Sequence, residues 1–184
     1  GADFVFSGPV LINSSIATHH VNNNPARGPF GKEAHAVGFF RDNDVPDGNP
    51  PEDEIRCILD TYRTVAVVGL SDNPLKASYE VAEFLKGRGY RIIPVNPAED
   101  RVLDEQCYPD LQSIPVPVEI VQIFRKSSDV PGIVEGAISI GAKVVWMQLG
   151  IVNNAAARMA REAGLKVVQS RCMRRELESR DPWH

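Results

Sequence analysis

Within Thr64–Ala98 an apolar strand (Val65 to Val68) runs into Gly69 and a short polar turn. An amphipathic helix follows, and a second apolar strand stops at Pro94-Val95-Asn96-Pro97. This order constrains the fold more than any other feature of the chain. In α/β proteins a strand, a Gly-containing turn, a helix and a strand cradle a phosphate, because free N–H groups and the positive dipole end meet at the helix start. The turn reads Gly69-Leu70-Ser71-Asp72-Asn73-Pro74 and departs from the G-x-G-x-x-G fingerprint.

The alternation continues to the C-terminal end. A short helix opens at Pro50-Pro51-Glu52-Asp53-Glu54, with prolines and acids where a first turn favours them. After the strand ending at Gly69, a helix is expected from about Ser78 to Lys86, closed by Gly87 and Gly89. Strands are expected at Arg91–Val95, Val118–Phe124, Lys143–Gln148 and Lys166–Val168, with helices at about Val130–Ile140 and Asn153–Ala163. Near-continuous apolar strands separated by helices imply a doubly wound parallel sheet covered on both faces, an α/β, Rossmann-like architecture. A loop with Tyr108-Pro109-Asp110-Leu111 leads to Ile114-Pro115-Val116-Pro117. The tail Arg171-Cys172-Met173-Arg174-Arg175-Glu176-Leu177-Glu178 reads as a charged surface helix, and Trp146 as a core anchor.

Residues 1–50 differ in character from residues 51–184, the expected domain. Asn22-Asn23-Asn24-Pro25, Arg27-Gly28-Pro29 and Asp47-Gly48-Asn49-Pro50 are breaker signals between short aperiodic apolar clusters. Such a segment cannot form its own core, yet it is too apolar for a solvating tail. It reads as an extended arm that packs on its own domain or on a partner.

Composition narrows the function. A net charge of -4 gives no general attraction to nucleic acid or an anionic membrane, and no apolar run approaches a bilayer span. The 3 cysteines, Cys57, Cys107 and Cys172, are widely spaced, which suits a reducing compartment such as the cytoplasm or the mitochondrial matrix. Each is expected to be a small buried apolar residue. The chain begins with Gly1, as expected from removal of a leader or an engineered start.

In an open doubly wound sheet, ligands bind outside the carboxyl ends of the strands near the switch point. Gly69 lets the backbone turn, Ser71 supplies a hydroxyl, and Asn73 and Lys76 precede the helix that starts near Ser78. Arg125, at the end of a central strand, is the best phosphate clamp. Taken alone, Lys76 is a solvated lysine and Arg125 an exposed ion-pair partner; their shared place at strand ends favours a site. An NAD-binding unit puts an acid at the end of its second strand, whereas this chain has Asn96-Pro97. No P-loop occurs, so NAD binding and ATP hydrolysis are both disfavoured. His19, His20, His35 and His184 all lie outside the α/β region, which leaves no base for a catalytic triad, and no metal pattern is present. The basic neighbours of Cys172 are the one argument for a reactive thiol.

Val67-Val68-Gly69-Leu70-Ser71, Ser78-Tyr79-Glu80-Val81-Ala82, Gly89 to Pro97, Ile123-Phe124-Arg125, Val144 to Gly150 and Arg171-Cys172 together resemble the stand-alone CoA-binding proteins of the YccU type. Those are similar to the CoA-binding domain of the succinyl-CoA synthetase α subunit. The resemblance spans roughly Ile55 to Glu178. It implies coenzyme A across the strand ends, with Gly69, Leu70, Ser71, Asn73, Lys76 and Ser78 on phosphates. Asn96, Pro97, Phe124 and Arg125 would embrace the adenosine diphosphate half, with Gln148 at the fourth strand end. The phosphohistidine domain of the synthetases has no counterpart, so their reaction does not carry over. The chain departs from the family in three places: the usual VDVVDIF strand reads Val118 to Phe124 with Glu119 and Gln122, the aspartate before Arg-Cys is Ser170, and the arm up to about Pro50 has no match in the family.

The expected function is therefore a non-catalytic module for CoA or acyl-CoA. The alternative is an accessory subunit of a larger, possibly mitochondrial, assembly that docks through residues 1–50.

Overall fold

A computed structural model describes residues 46–180. The first helix, α1 (Glu52–Thr61), starts after Pro51, which gives up no hydrogen bond there, and its first turn holds Glu52, Asp53 and Glu54. The chain then forms β1 (Thr64–Val68), α2 (Ala77–Gly87), β2 (Arg91–Val95), β3 (Arg101–Val102) and β4 (Glu105–Gln106). Next come β5 (Ile120–Ile123), α3 (Val130–Ser139), β6 (Val144–Met147), α4 (Asn154–Glu162), β7 (Lys166–Val168) and α5 (Met173–Glu178).

Five strands pair in parallel in the order β2-β1-β5-β6-β7. The chain leaves β1 outward to β2 and returns to β5 on the other side of β1. That reversal opens a crevice at the carboxyl ends of β1 and β5. Pro94 is tolerated in β2 because β2 is an edge of this sheet, where a missing ladder donor costs little. The α/β, doubly wound expectation is met.

Side chains alternate between two cores. Val65, Val67, Ile92, Ile120, Val144 and Trp146 face α1, α2 and α5. Ala66, Ile93, Val121, Ile123, Val145 and Met147 face α3 and α4. Trp146 is fully buried, as expected, and its Nε1 donates to Arg171 O at 2.7 Å. Asn153 starts α4 by accepting from the Ala156 N–H at 2.9 Å, which supplies a partner for one of the helix's orphan donors.

One element was not foreseen and two expectations change. β3 and β4 form a small antiparallel hairpin ahead of the Tyr108–Leu111 loop, with Leu103 and Asp104 at φ +55° and +64°. Helix α5 is not a pure surface helix, because Met173 and Leu177, four residues apart on one face, are buried against the first core. Of the cysteines, Cys107 alone is buried, while Cys57 is exposed and Cys172 half-buried.

The 1–50 arm and all four histidines lie outside the described residues except for positions 46–50. Those last positions are tied to α4 and β7. Asn49 exchanges two hydrogen bonds with the Gln169 backbone, at 2.9 and 2.7 Å, as a neighbouring strand would. Arg161 donates to Asp47 O at 2.7 Å and to Gly48 O at 2.9 Å.

Candidate functional site

Gly69 ends β1 with φ +86°, a conformation that glycine reaches without penalty. Its N–H donates to Val95 O at 2.8 Å, and Asn96 Nδ2 donates to Leu70 O at 2.9 Å. The ends of β1 and β2 are thereby laced together. Asn96 Oδ1 accepts from the Ala98 N–H at 3.1 Å, so this side chain holds its own turn. Leu70 turns its side chain into the core, fully buried, and brings only backbone to the site.

The turn between β1 and α2 is largely self-satisfied. The Ser71 N–H donates to Ser78 Oγ at 3.2 Å, and the Asn73 N–H to Ser71 Oγ at 3.2 Å. The Leu75 N–H donates to Asn73 Oδ1 at 2.9 Å. The three polar side chains expected to meet phosphate, Ser71, Asn73 and Ser78, therefore shape the loop first. Among the described residues the Lys76 ammonium, exposed where α2 begins, and the N–H groups of Leu70, Asp72, Ala77 and Ser78 stay open.

Beside this turn lies a cleft of about 320 Å³ between the ends of β1, β2 and β5 and the face of α3. Gly69, Asn96, Pro97 and Arg125 all line it, so the structure brings four of the expected residues together. Val68, Val95, Pro109 and Ile133 give it apolar walls. Arg125 is half-exposed, its Nε 3.3 Å from Asp129 Oδ2, a solvent-screened pair that spans the loop into α3. Asp110 also faces the cleft, and its carboxyl is held below the usual range by hydrogen bonds from the Ser113 hydroxyl and N–H.

Phe124 and Gln148 lie elsewhere. They line a second cleft, of about 500 Å³, on the opposite face of the sheet, with Ala77, Val81, Leu149, Cys172 and Arg174. Phe124 and Arg125 are consecutive and diverge to opposite faces, so the two clefts flank the same strand end. Sequence reasoning missed Asp110, Asp129 and the α3 wall. Gly132 and Gly136, four residues apart on one helix face, were the available signal. At Gly136 a Cβ would stand 3.2 Å from Leu111 Cδ1, so the helix packs close only because that side chain is absent. Among the described residues no group of three metal-ligating side chains occurs, and no helix is long and apolar enough to cross a membrane.

A family model described as a CoA binding domain matches residues 63–178. The protein YneT of Bacillus subtilis (strain 168) is 40% identical over 126 residues, which cover 68% of this chain and 93% of YneT. A solved structure from Pyrococcus horikoshii OT3 is 41% identical with a TM-score of 0.71, covering 73% of this chain and 95% of that one. An ADP-forming acetate–CoA ligase of Archaeoglobus fulgidus is 32% identical over 83 residues, 44% of this chain and 12% of the ligase, so the likeness is to one part of a larger enzyme. The match over 63–178 contains every residue that lines either cleft, and the chain belongs to the CoA-binding domain family.

Proposed function

We propose that the chain is a non-catalytic module that binds coenzyme A through its nucleotide end at the first cleft. The observation that carries this reading is the meeting of Gly69, Asn96 and Arg125 around an apolar slot at the switch point of the sheet. The adenine ring would lie between Val95, Pro97 and Ile133. Asp110 and Asp129, both on the cleft wall, would accept from its amino group or from ribose hydroxyls. The diphosphate would sit at the lip, against Arg125, Lys76 and the open N–H groups of Leu70 and Asp72. Ser71, Asn73 and Ser78 would act by holding that lip in shape.

CoA is favoured over NAD because Asn96 stands where a ribose-binding acid is needed, and its two ends are already engaged. The non-catalytic part of the reading is supported by the chemistry of the walls. Asp129 is engaged by Arg125, and Asp110 is kept ionised by hydrogen bonds from Ser113, so Asp110 is not poised as a general acid near neutral pH.

Calorimetric titration of the full chain with CoA, ADP and NAD tests the binding. CoA and ADP are expected to bind and NAD to bind more weakly. Absence of CoA binding, or a preference for NAD, overturns the reading. Incubation with acetyl-CoA is expected to release no free thiol above the uncatalysed rate.

A further inference from the structure

The second cleft holds a hydrogen-bond donor with no acceptor. Gln148 is 3% exposed, and its Oε1 accepts from the Met173 N–H at 3.2 Å. A backbone donor thus fixes which end of the amide is oxygen and leaves Nε2 on the cleft side. Among the described residues Nε2 finds no acceptor. Nor is it sealed in the core, since the buried partnerless side-chain atom among the described residues is Gln122 Oε1. The donor therefore opens into the cleft, where water holds it until a ligand oxygen takes that place.

The surroundings specify that ligand further. Val81, Phe124, Leu149 and Ile151 make the walls apolar, and Leu149 stays 56% exposed, a large apolar side chain uncovered at the mouth. The rim charges largely cancel: Arg174 pairs with Glu178 at 2.7 Å and with Glu80 at 3.3 Å. At about 500 Å³ the cleft exceeds what a terminal thiol would fill, and the remainder would hold many waters at about 30 Å³ each. Because Phe124 and Arg125 are consecutive, one ligand crossing between the ends of β1 and β5 reaches both clefts.

We propose that the second cleft receives a short acyl thioester, Gln148 Nε2 donating to its carbonyl oxygen while the apolar walls hold the chain. The protein then discriminates acyl-CoA from free CoA. This rests on the CoA reading of the first cleft and adds the identity of the ligand's far end.

The test is calorimetry of the full chain with ADP, CoA, butyryl-CoA and S-butyl-CoA, the thioether that keeps the chain and lacks the thioester carbonyl. Butyryl-CoA is expected to bind about tenfold or more tighter than CoA, from burial of its methylenes. It should bind about fivefold tighter than S-butyl-CoA, from the one hydrogen bond. Gln148→Glu keeps an oxygen for the Met173 N–H and removes the donor, so the gap between thioester and thioether should close while ADP affinity is unchanged. Equal affinities for CoA and butyryl-CoA in the wild type overturn the proposal, as does a gap that survives Gln148→Glu. The wild-type series decides even if that variant does not fold. Binding of ADP and CoA without acyl preference removes this inference alone, whereas failure of both to bind removes the CoA reading as well.

Discussion

Arg125 crosses Gly69 so closely that a Cβ built on the glycine would lie 2.8 Å from Arg125 Cδ. The glycine is thus fixed twice, by its φ of +86° and by the side chain above it. Gly69→Ala is expected to lower stability by about 1–2 kcal/mol from left-handed strain alone. It should also push Arg125 off the lip and weaken CoA binding more than tenfold. Urea denaturation and calorimetry on the same variant separate the two effects. A loss of stability with undiminished affinity would show that the position of Arg125 does not matter to the ligand.

Asn96 joins two strand ends through its amide nitrogen. Asn96→Asp keeps an oxygen for the Ala98 N–H but sets a carboxylate against the Leu70 carbonyl, which now receives from Nδ2. We expect a stability loss of about 1–3 kcal/mol, the cost of a broken and partly buried polar pair. NAD affinity should not appear, because the new carboxylate is held between the Ala98 N–H and the Leu70 carbonyl by the turn it belongs to. Tighter binding of NAD than of CoA in this variant would contradict the geometry.

The succession of strands and helices was legible because the strands are apolar runs stopped by Gly, Pro or a polar turn, as Val65 to Gly69 and Ile92 to Pro97 illustrate. The switch-point residues followed from that order, since Gly69, Asn96, Pro97 and Arg125 each end or follow a strand. What stayed hidden depends on contacts distant in sequence. Nothing local announces that Leu103 will adopt φ +55° and close a hairpin, as non-glycine residues seldom do so. The charges of α5 mask Met173 and Leu177, whose burial requires the first core to be in place. Gln148 was placed at a strand end, but its membership of a different cleft from Arg125 depends on which sheet face it meets. Likewise, the polar turn between Ser71 and Ser78 looked available for phosphate because its internal hydrogen bonds leave no trace in composition.

Gln122 stands fully buried in β5, where its Oε1 has no partner and its Nε2 meets only Met173 Sδ at 3.5 Å. A thioether is a weak acceptor, so the amide recovers little of what it lost in leaving water. Gln122→Leu, similar in size and apolar, is expected to raise stability by about 1 kcal/mol. Thermal melting should move upward accordingly, with CoA affinity unchanged because Gln122 lines neither cleft. A lower melting temperature would mean that the amide oxygen has a partner in solution.

Glu119 reaches back from the start of β5 to the entry of β1, its Oε2 accepting from the N–H groups of Arg63 at 2.8 Å and Thr64 at 2.9 Å. Those donors, that of Arg63 foremost, hold its carboxyl below the usual range against the opposing effect of burial. A carboxyl whose folded pKa is depressed binds fewer protons in the native state than in the unfolded one as pH falls. Its contribution is therefore complete above the unfolded value of about 4.3 and is lost as pH drops through the lower folded value. Glu119 is only half-buried, so water screens the interaction and its worth is about 1 kcal/mol. Glu119→Gln, which keeps the shape and an acceptor oxygen, should be less stable than the wild type by that amount between pH 5 and pH 7. The difference should shrink steadily below about pH 4.3, as the wild-type carboxyl takes up its proton. Urea denaturation of both proteins across pH 3–7 reads this directly. A gap that stays constant down to pH 3 would assign the loss to packing of the amide and not to the charge held between Arg63 and Thr64.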